Sequence, residues 1–227
     1  MSDTCYSAAQ NMEMDMLLFS AGRPAFRFYR FRDDCITAGR SQDLSSEIDL
    51  DKALKTGVDA VKRPTGGGIV LHSKNDIIFS CVFPASVFPG GAMKAYYFVS
   101  DILLEGLSEC GVQAERAMQA PADRQAAPGL CFSSSREFEI ALSGKKLAGI
   151  AQKRTRDRIL QQGAICVSRP AKDLPSLLRR SWPVRDGLGL PAYIRDLPDG
   201  DKKTDELLSL LTGMFAARFE KLSSFVV

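Results

Sequence analysis

The sequence has little of the chemistry that metal sites and disulfide scaffolds need. It contains one histidine, and none of its cysteines stands in a CxxC pair. The six cysteines are spread along the whole length, at Cys5, Cys35, Cys81, Cys110, Cys131 and Cys166. This distribution argues against a disulfide framework and against a zinc site, so we expect reduced thiols and no bound metal.

Long apolar runs and basic clusters are also missing. No apolar run approaches membrane-spanning length, and Asp3 and Asn11 stand where a secretory signal would have a basic start and an apolar core. We therefore expect a soluble cytoplasmic protein without a membrane partner. The net charge of +3 comes without a long Lys/Arg run or a basic patch interleaved with aromatics. Nucleic acid is therefore not expected as a partner, whereas an acidic protein partner is compatible with the charge.

The sequence does contain enough apolar residues for one large core. Of its 227 residues, 45% are hydrophobic, and no internal repeat or low-complexity tail divides them. We predict a single domain over residues 1–227, in which residues 170–227 form a helical C-terminal extension. We also expect a monomer.

Hydrophobic periodicity and capping residues predict the secondary structure. Helices are predicted over 7–20, from Ser45 or Ser46 to Gly57, and over 93–110, 174–180 and 204–222. Strands are predicted over 26–31, 35–38, 59–62, 68–72, 77–83, 138–142, 146–151 and 159–167. Asp33-Asp34 is predicted to join the first two strands, and Ser143-Gly144 to make a hairpin. Residues 120–129, rich in Ala and Pro, are predicted to form a surface loop or flap.

The chain is organised around the stretch VKRPTGGGIVLH at residues 61–72. Arg63 and His72 flank three adjacent glycines, Gly66, Gly67 and Gly68, between two strand-like runs. Adjacent glycines admit backbone angles closed to other residues and leave peptide N–H groups bare for a ligand. The spacing is not that of a Walker A or dinucleotide motif. Two interpretations stay open, a ligand-binding bend and a bend that only joins strands.

Two charged or polar positions also have a functional and a structural interpretation. Lys145 and Lys146 lie beside the hairpin turn, where a lysine is usually just solvated. His72, the only histidine, is either a hydrogen-bonded structural residue at a strand end or a catalytic one.

Two ordered motifs, RPTGGGIVLH at 63–72 and GKKLAGIAQ at 144–152, resemble those of the lipoate–protein ligase and octanoyltransferase family, which is related to the biotin protein ligases. The similarity extends to Asn11-Met12 and Asp15, and to LQQGAI at 160–165, where Gln162 stands in place of the histidine of many ligases. The resemblance implies the fold class. We expect an α/β (α+β) biotin/lipoate ligase-like catalytic domain, with a mixed, largely antiparallel sheet packed by helices.

The resemblance also implies the site residues. The segment CFSSS at 131–135 is similar to that of octanoyltransferases with a cysteine nucleophile. Cys131 is therefore expected to accept the acyl group, and Lys146 to hold its carbonyl or an adenylate through positive charge. The residues expected to bind substrate are Arg63, Gly66, Gly67, Gly68, His72, Gly149, Ala151 and Gly163.

Three functions follow from the resemblance. The first is transfer of octanoyl or lipoyl, without a cofactor, from acyl carrier protein or an octanoyl- or lipoyl-domain protein to the lysine of a lipoyl-domain protein. Glycine cleavage H protein and 2-oxoacid dehydrogenase E2 are the expected acceptors. The second is attachment of free lipoate through lipoyl-adenylate, with ATP and Mg as cofactors. The third is a non-enzymatic acyl-binding or partner subunit, in which Cys131 and Lys146 would be idle.

Overall fold

The computed structural model describes residues 5–89, 91–117, 139–179 and 191–223. Within these ranges the helices are α1 (Ala8–Ala21), α2 (Leu44–Glu47), α3 (Leu50–Lys55), α4 (Ala92–Glu109) and α5 (Gly200–Ser223). The strands are β1 (Ala25–Tyr29), β2 (Cys35–Ala38), β3 (Asp59–Lys62), β4 (Ile69–His72), β5 (Ile77–Pro84), β6 (Glu115–Arg116), β7 (Ile140–Leu142), β8 (Lys145–Arg154) and β9 (Arg158–Ile165).

The strands form two sheets. The larger has the order β1-β5-β9-β8-β7-β6, and all of its neighbouring strands are antiparallel. The smaller has the order β3-β2-β4, in which β2 runs parallel to β3 and antiparallel to β4. The expected fold class, a mixed and largely antiparallel sheet packed by helices, is confirmed.

One face of the large sheet carries the main core. Helices α4 and α5 pack on it, and their apolar side chains meet those of β5, β8 and β9. Phe79 and Phe83 from β5 and Phe215 from α5 are fully buried there. Because such rings each bury a large apolar area, this cluster is a main source of stability. Helix α5 thus belongs to the central core, while the predicted division at residue 170 stays a prediction.

The smaller sheet has its own core and explains two wrong predictions. The helix predicted to end at Gly57 is broken into α2 and α3, each with its own aspartate cap, Asp43 and Asp49. Between them Ile48 is extended, fully buried and bridged to Leu178. The helix predicted over 174–180 is correspondingly reduced to a 3₁₀ turn at Pro175–Leu177, because Leu178 is extended in that bridge.

The remaining local predictions concern the first helix, the first two strands and the loop over 120–129. The first helix is confirmed, and Ser7 and Gln10 form a capping box at its start. The strands β1 and β2 are present, but they lie in different sheets and do not pair as neighbours. The predicted loop over 120–129 lies outside the described residues. No helix in the described ranges combines the length and apolar character that crossing a bilayer requires.

Candidate functional site

A cavity lies between the two sheets, beside α1. Its volume is about 490 Å³, including the part open to solvent. It is lined by Met12, Tyr29, Phe31, Thr37, Arg63, Val70, His72, Ile78, Glu139, Lys146, Gly149, Ile150, Ala151, Gln162, Gly163 and Ala164. The glycine stretch and the lysine hairpin, far apart in sequence, therefore meet at one place in the fold.

An apolar row of the large sheet forms part of the cavity wall. Gly149 on β8 is paired with Ala164 on β9, which is paired with Ile78 on β5, which is paired with Tyr29 on β1. Directly paired residues of antiparallel strands share a face, so the four positions form one line across the sheet. All four line the cavity.

A buried hydrogen-bond network centred on Asp15 holds a second, polar row of the same sheet, formed by Gln162, Ser80 and Arg27. Arg27 Nη1 donates to Asp15 Oδ1 at 2.9 Å and Ser80 Oγ to the same oxygen at 2.7 Å. Asp15 Oδ2 accepts from Tyr29 Oη at 3.0 Å and from Gln162 Nε2 at 2.7 Å. Because a buried carboxylate is costly unless it is paired and hydrogen-bonded, these four donors hold their elements in place. Burial, followed by the Asp15 charge, raises the pKa of Tyr29 well above its usual value, which keeps its hydroxyl a donor.

The network reaches the glycine stretch through Gln162. Thr65 Oγ1 donates to Gln162 Oε1 at 2.8 Å. The next residue, Gly66, donates its backbone N–H to the carbonyl of Gln152 on β8 at 3.4 Å. Helix α1, the large sheet and the glycine stretch are thus connected by direct hydrogen bonds.

Arg63 shapes the glycine bend. Its Nη2 donates to the carbonyl oxygens of Gly66 and Gly68, each at 2.8 Å, and its Nη1 to the carbonyl of Thr37 at 3.2 Å. The arginine is 6% exposed. Gly67, in the middle of the bend, has φ +94°, a conformation in which an added side chain is strained.

A glycine outside the motif makes this bend possible. A Cβ added at Gly39 would overlap the carbonyl oxygen of Gly67 and lie 2.9 Å from the carbonyl carbon of Gly66. The backbone N–H of Gly39 donates to the carbonyl of Gly68 at 3.2 Å. The bend therefore packs directly on the backbone that follows β2.

A β-bulge directs Lys146 into the cavity. Ile140 pairs with Ala148, whereas Ala141 pairs with Lys146, so Leu147 is an extra residue on β8. Such a bulge re-aims neighbouring side chains. Lys146 is 4% exposed, and its Nζ donates to Glu139 Oε1 at 2.6 Å. A Cβ at Gly149 would lie 3.0 Å from Lys146 Cε. The absence of a side chain at Gly149 therefore provides the space that the Lys146 side chain occupies.

His72 is held as a neutral imidazole. Its Nε2 lies 2.9 Å from Thr37 Oγ1. Burial, and secondly the Arg63 charge, lower the pKa of His72 to about 3. Its Nδ1 is 4.0 Å from Asp76 Oδ2, and burial raises the pKa of Asp76 to about 7. Because the imidazole is uncharged, this contact is not an ion pair.

The structure brings most of the predicted site residues together. Arg63, His72, Lys146, Gly149, Ala151 and Gly163 line one cavity, and Gly66, Gly67 and Gly68 form the bend held by Arg63. Gly163 has a packing role as well, because a Cβ there would overlap the ring of Phe79. Cys131 lies outside the described residues. The roles of all these residues in substrate binding and catalysis stay predictions.

Sequence reasoning missed several residues at this site. Tyr29, Thr37 and Glu139 line the cavity, and Thr65 ties the bend to Gln162. A signal existed for Glu139, because it lies on the opposite side of the hairpin turn from Lys146 and carries the opposite charge. Thr37 carried no such signal, because it reaches His72 only through the pairing of β2 with β4 and Arg63 only through the pairing of β2 with β3.

Comparison with known proteins agrees with this architecture. The family described as the lipoyl protein ligase A/B catalytic domain matches residues 7–185. The chain is 33% identical to an octanoyltransferase LipM of Macrococcus caseolyticus over 225 residues, which covers 93% of this chain and 81% of that protein.

Solved structures share the fold. A putative lipoate protein ligase of Thermoplasma acidophilum, solved with bound lipoic acid, superposes with a TM-score of 0.73 at 20% identity, covering 98% of this chain and 90% of that one. A lipoate-protein ligase A bound with ATP has a TM-score of 0.71 at 21% identity, covering 95% of this chain and 87% of that one. The family match, the relative and the shared fold confirm the resemblance of the two motifs, and the chain belongs to the lipoyl protein ligase A/B catalytic domain family.

Proposed function

We propose that this protein is an octanoyltransferase, which moves an octanoyl group from a carrier thioester to the target lysine of a lipoyl-domain protein through a thioester on Cys131. The observation that carries the proposal is the buried ammonium group of Lys146 in a cavity whose wall includes the apolar row from Gly149 to Tyr29. The similarity to an octanoyltransferase supports the choice of acyl group.

The cavity suits an acyl chain that ends in a reactive carbonyl. The Gly149-to-Tyr29 row offers apolar contact to methylene groups, whose burial is favourable. Lys146 supplies a fixed positive charge, and Glu139 holds its ammonium in place at 2.6 Å. A preorganised charge of this kind stabilises the oxyanion that forms when the carbonyl is attacked.

The proposed reaction has two acyl transfers. In the first, the Cys131 thiolate attacks the thioester carbonyl, a new C–S bond forms, and the carrier leaves as a thiolate that takes up a proton. In the second, the amine of the target lysine attacks the enzyme thioester, the amide forms, and the released Cys131 thiolate is regenerated as the amine loses a proton. Exchange of one thioester for another is nearly isoenergetic, so the reaction needs neither ATP nor a metal.

The partners follow from the same proposal. The donor is octanoyl acyl carrier protein or an octanoyl-domain protein, and the acceptors are lipoyl-domain proteins such as glycine cleavage H protein and 2-oxoacid dehydrogenase E2. Both kinds of substrate present the reacting group on another protein. The reacting atoms must therefore enter the cavity from its solvent-open side.

The test is to trap the acyl enzyme. Incubation of the protein with octanoyl carrier and no acceptor is expected to leave a hydroxylamine-sensitive octanoyl group on the Cys131 peptide, detected by mass spectrometry. Cys131→Ser should lose both the adduct and nearly all transfer, since a serine hydroxyl without a dedicated base is a much weaker nucleophile. Cys5→Ser, which changes an exposed cysteine, is the matched control and should keep both.

The competing function, an ATP-dependent ligase, predicts different results in these assays. If the protein is an ATP-dependent ligase, free lipoate or octanoate with ATP and Mg will modify the acceptor, and Cys131→Ser will stay active. Lack of a Cys131 adduct together with that activity would replace the transferase by the ligase. Acyl binding without any transfer would instead support the partner-subunit alternative.

A further inference from the structure

The apolar row across the large sheet is graded in size. Gly149 has no side chain, Ala164 has a methyl group, Ile78 is larger, and Tyr29 ends the row with an aromatic ring. The side chains along the row therefore increase in size from β8 towards β1. Lys146 marks the β8 end of the row, because its ammonium nitrogen lies 3.3 Å from where a Cβ of Gly149 would be.

We propose that the ring of Tyr29 is the stop that sets the longest acyl chain this protein accepts, which rests on the acyl-transfer function proposed above. Neighbouring strands are about 4.8 Å apart, so the distance from Gly149 to Ile78, two strand spacings, is about 10 Å. An extended eight-carbon chain, with carbon–carbon bonds of about 1.5 Å, reaches roughly 9 Å. A chain with its carbonyl at Lys146 thus crosses Ala164 and ends against Tyr29.

The stop is rigid because Tyr29 is held from several sides. Its hydroxyl donates to Asp15 Oδ2 at 3.0 Å, and Asp15 is fully buried and bound to Arg27. The Arg27 guanidinium lies over the ring, 4.0 Å from its centroid. Phe31 packs against the ring edge at a centroid distance of 5.7 Å. A longer chain cannot displace the ring without breaking a hydrogen bond to a buried carboxylate, which makes the limit sharp.

The first experiment compares acyl donors of different length. In the wild type, kcat/KM should peak at octanoyl among hexanoyl, octanoyl and decanoyl carriers. Tyr29→Ala should raise the ratio of decanoyl to octanoyl kcat/KM on the order of tenfold, which is what burying two further methylene groups supplies. Ala164→Leu, which fills the middle of the row, should shift the preference the other way, towards hexanoyl.

Two control variants separate chain-length selection from general damage. Phe28→Leu changes the neighbouring residue on β1, whose ring packs against Phe215 in the main core. It should lower stability and leave the chain-length ratios unchanged. Tyr29→Phe keeps the ring but loses the hydrogen bond to Asp15, so it should keep octanoyl as the preferred substrate and raise the decanoyl-to-octanoyl ratio less than Tyr29→Ala does.

The outcomes distinguish this inference from the proposed function. A folded Tyr29→Ala with wild-type ratios would overturn the stop, and if that variant does not fold, unchanged ratios in Ala164→Leu would overturn it. If the wild type transfers no acyl group, calorimetric binding of hexanoate, octanoate and decanoate replaces the kinetics. A shift towards decanoate in Tyr29→Ala would then support the stop although the transferase function fails, and no shift or no binding would overturn it.

Discussion

The adjacent lysines at the start of β8 are expected to differ sharply in function. Lys146 is buried against Glu139, whereas Lys145 is exposed. Lys146→Ala should lower kcat for octanoyl transfer by about 10²-fold or more, because it removes the charge proposed to stabilise the oxyanion. Lys145→Ala should stay within a few-fold of wild type. Single-turnover kinetics with octanoyl carrier measure both, and equal losses would contradict the assigned role of Lys146.

The single histidine gives a direct test of the buried environment. His72 has a pKa of about 3, so its imidazole should stay neutral between pH 8 and pH 5. Since no other histidine is present, one Cε1 proton signal in an NMR titration reports it without assignment. A midpoint near the unperturbed value of about 6.5 would show that the ring is open to protonation.

The same pKa has a consequence for stability. In the unfolded chain His72 binds a proton below its ordinary pKa, whereas the folded protein does not until about pH 3. The contribution of His72 to the free energy of unfolding is therefore complete above pH ~6.5. It is lost as the pH falls towards 3, by up to about 1.4 kcal/mol per pH unit. Asp76 has the opposite effect: because its pKa is raised, its contribution to the free energy of unfolding is lost as the pH rises from about 4 to 7. Urea unfolding of His72→Gln beside the wild type at pH 5 and pH 7 separates the two contributions.

At the scale of elements, local pattern predicted most strands and the long helices, and it failed where tertiary contacts decide. The helix pattern of residues 45–57 is real in both halves, but Ile48 leaves the helix because it gains full burial and a bridge to Leu178. That contact spans 130 residues, so no local window contains it. The bulge at Leu147 was equally invisible, although it decides on which side of β8 Lys146 lies.

Gly39 allows a test of the glycine bend as an element. Gly39→Ala would push a methyl group into the Gly67 carbonyl, so the bend must move. We expect a loss of about 1–3 kcal/mol in unfolding free energy, as for other overpacked sites, together with loss of transfer activity. Gly66→Ala is the control for stability, because its added carbon would come no closer than 4.0 Å to the carbonyl of Gln152. Comparable destabilisation by both changes would mean that the Gly39 contact is not the cause.

At the scale of the whole molecule, the resemblance predicted that the two motifs close over one acyl group, but the contacts that bring them together were not predicted. The hydrogen bonds from Thr65 to Gln162 and from Gly66 to Gln152 depend on how the small sheet packs against the large one. The family resemblance supplied what periodicity could not, because it implied that both motifs serve one acyl group. The Asp15 network that joins them gave no periodic signal.

Two glycines should change global stability in opposite directions. Gly163→Ala would drive a methyl group into the Phe79 ring and to 2.7 Å from the Gly149 carbonyl, so the unfolding free energy should fall by about 2 kcal/mol. Gly213 lies on an exposed face of α5 with no atom near its added carbon. Gly213→Ala should raise the unfolding free energy by about 0.5–1 kcal/mol.

Denaturant melts of both variants measure these effects. Phe79→Leu, introduced into Gly163→Ala, should recover part of the loss, since the smaller side chain vacates the space that the methyl group needs. If the double variant is instead as unstable as the two separate losses added together, the two sites act independently, which would contradict the proposed clash.

The buried thiols make the protein its own reporter of unfolding. Cys35, Cys81, Cys110 and Cys166 are enclosed in the fold, and burial raises the pKa of each thiol. Because iodoacetamide reacts with the thiolate form of cysteine, these four should not be alkylated in the folded protein, whereas the exposed Cys5 should react. In Cys5→Ser, slow labelling of these four would time the opening of the molecule. If Cys131 is the acylated thiol proposed above, an octanoyl group on it should abolish any rapid labelling that remains in this variant.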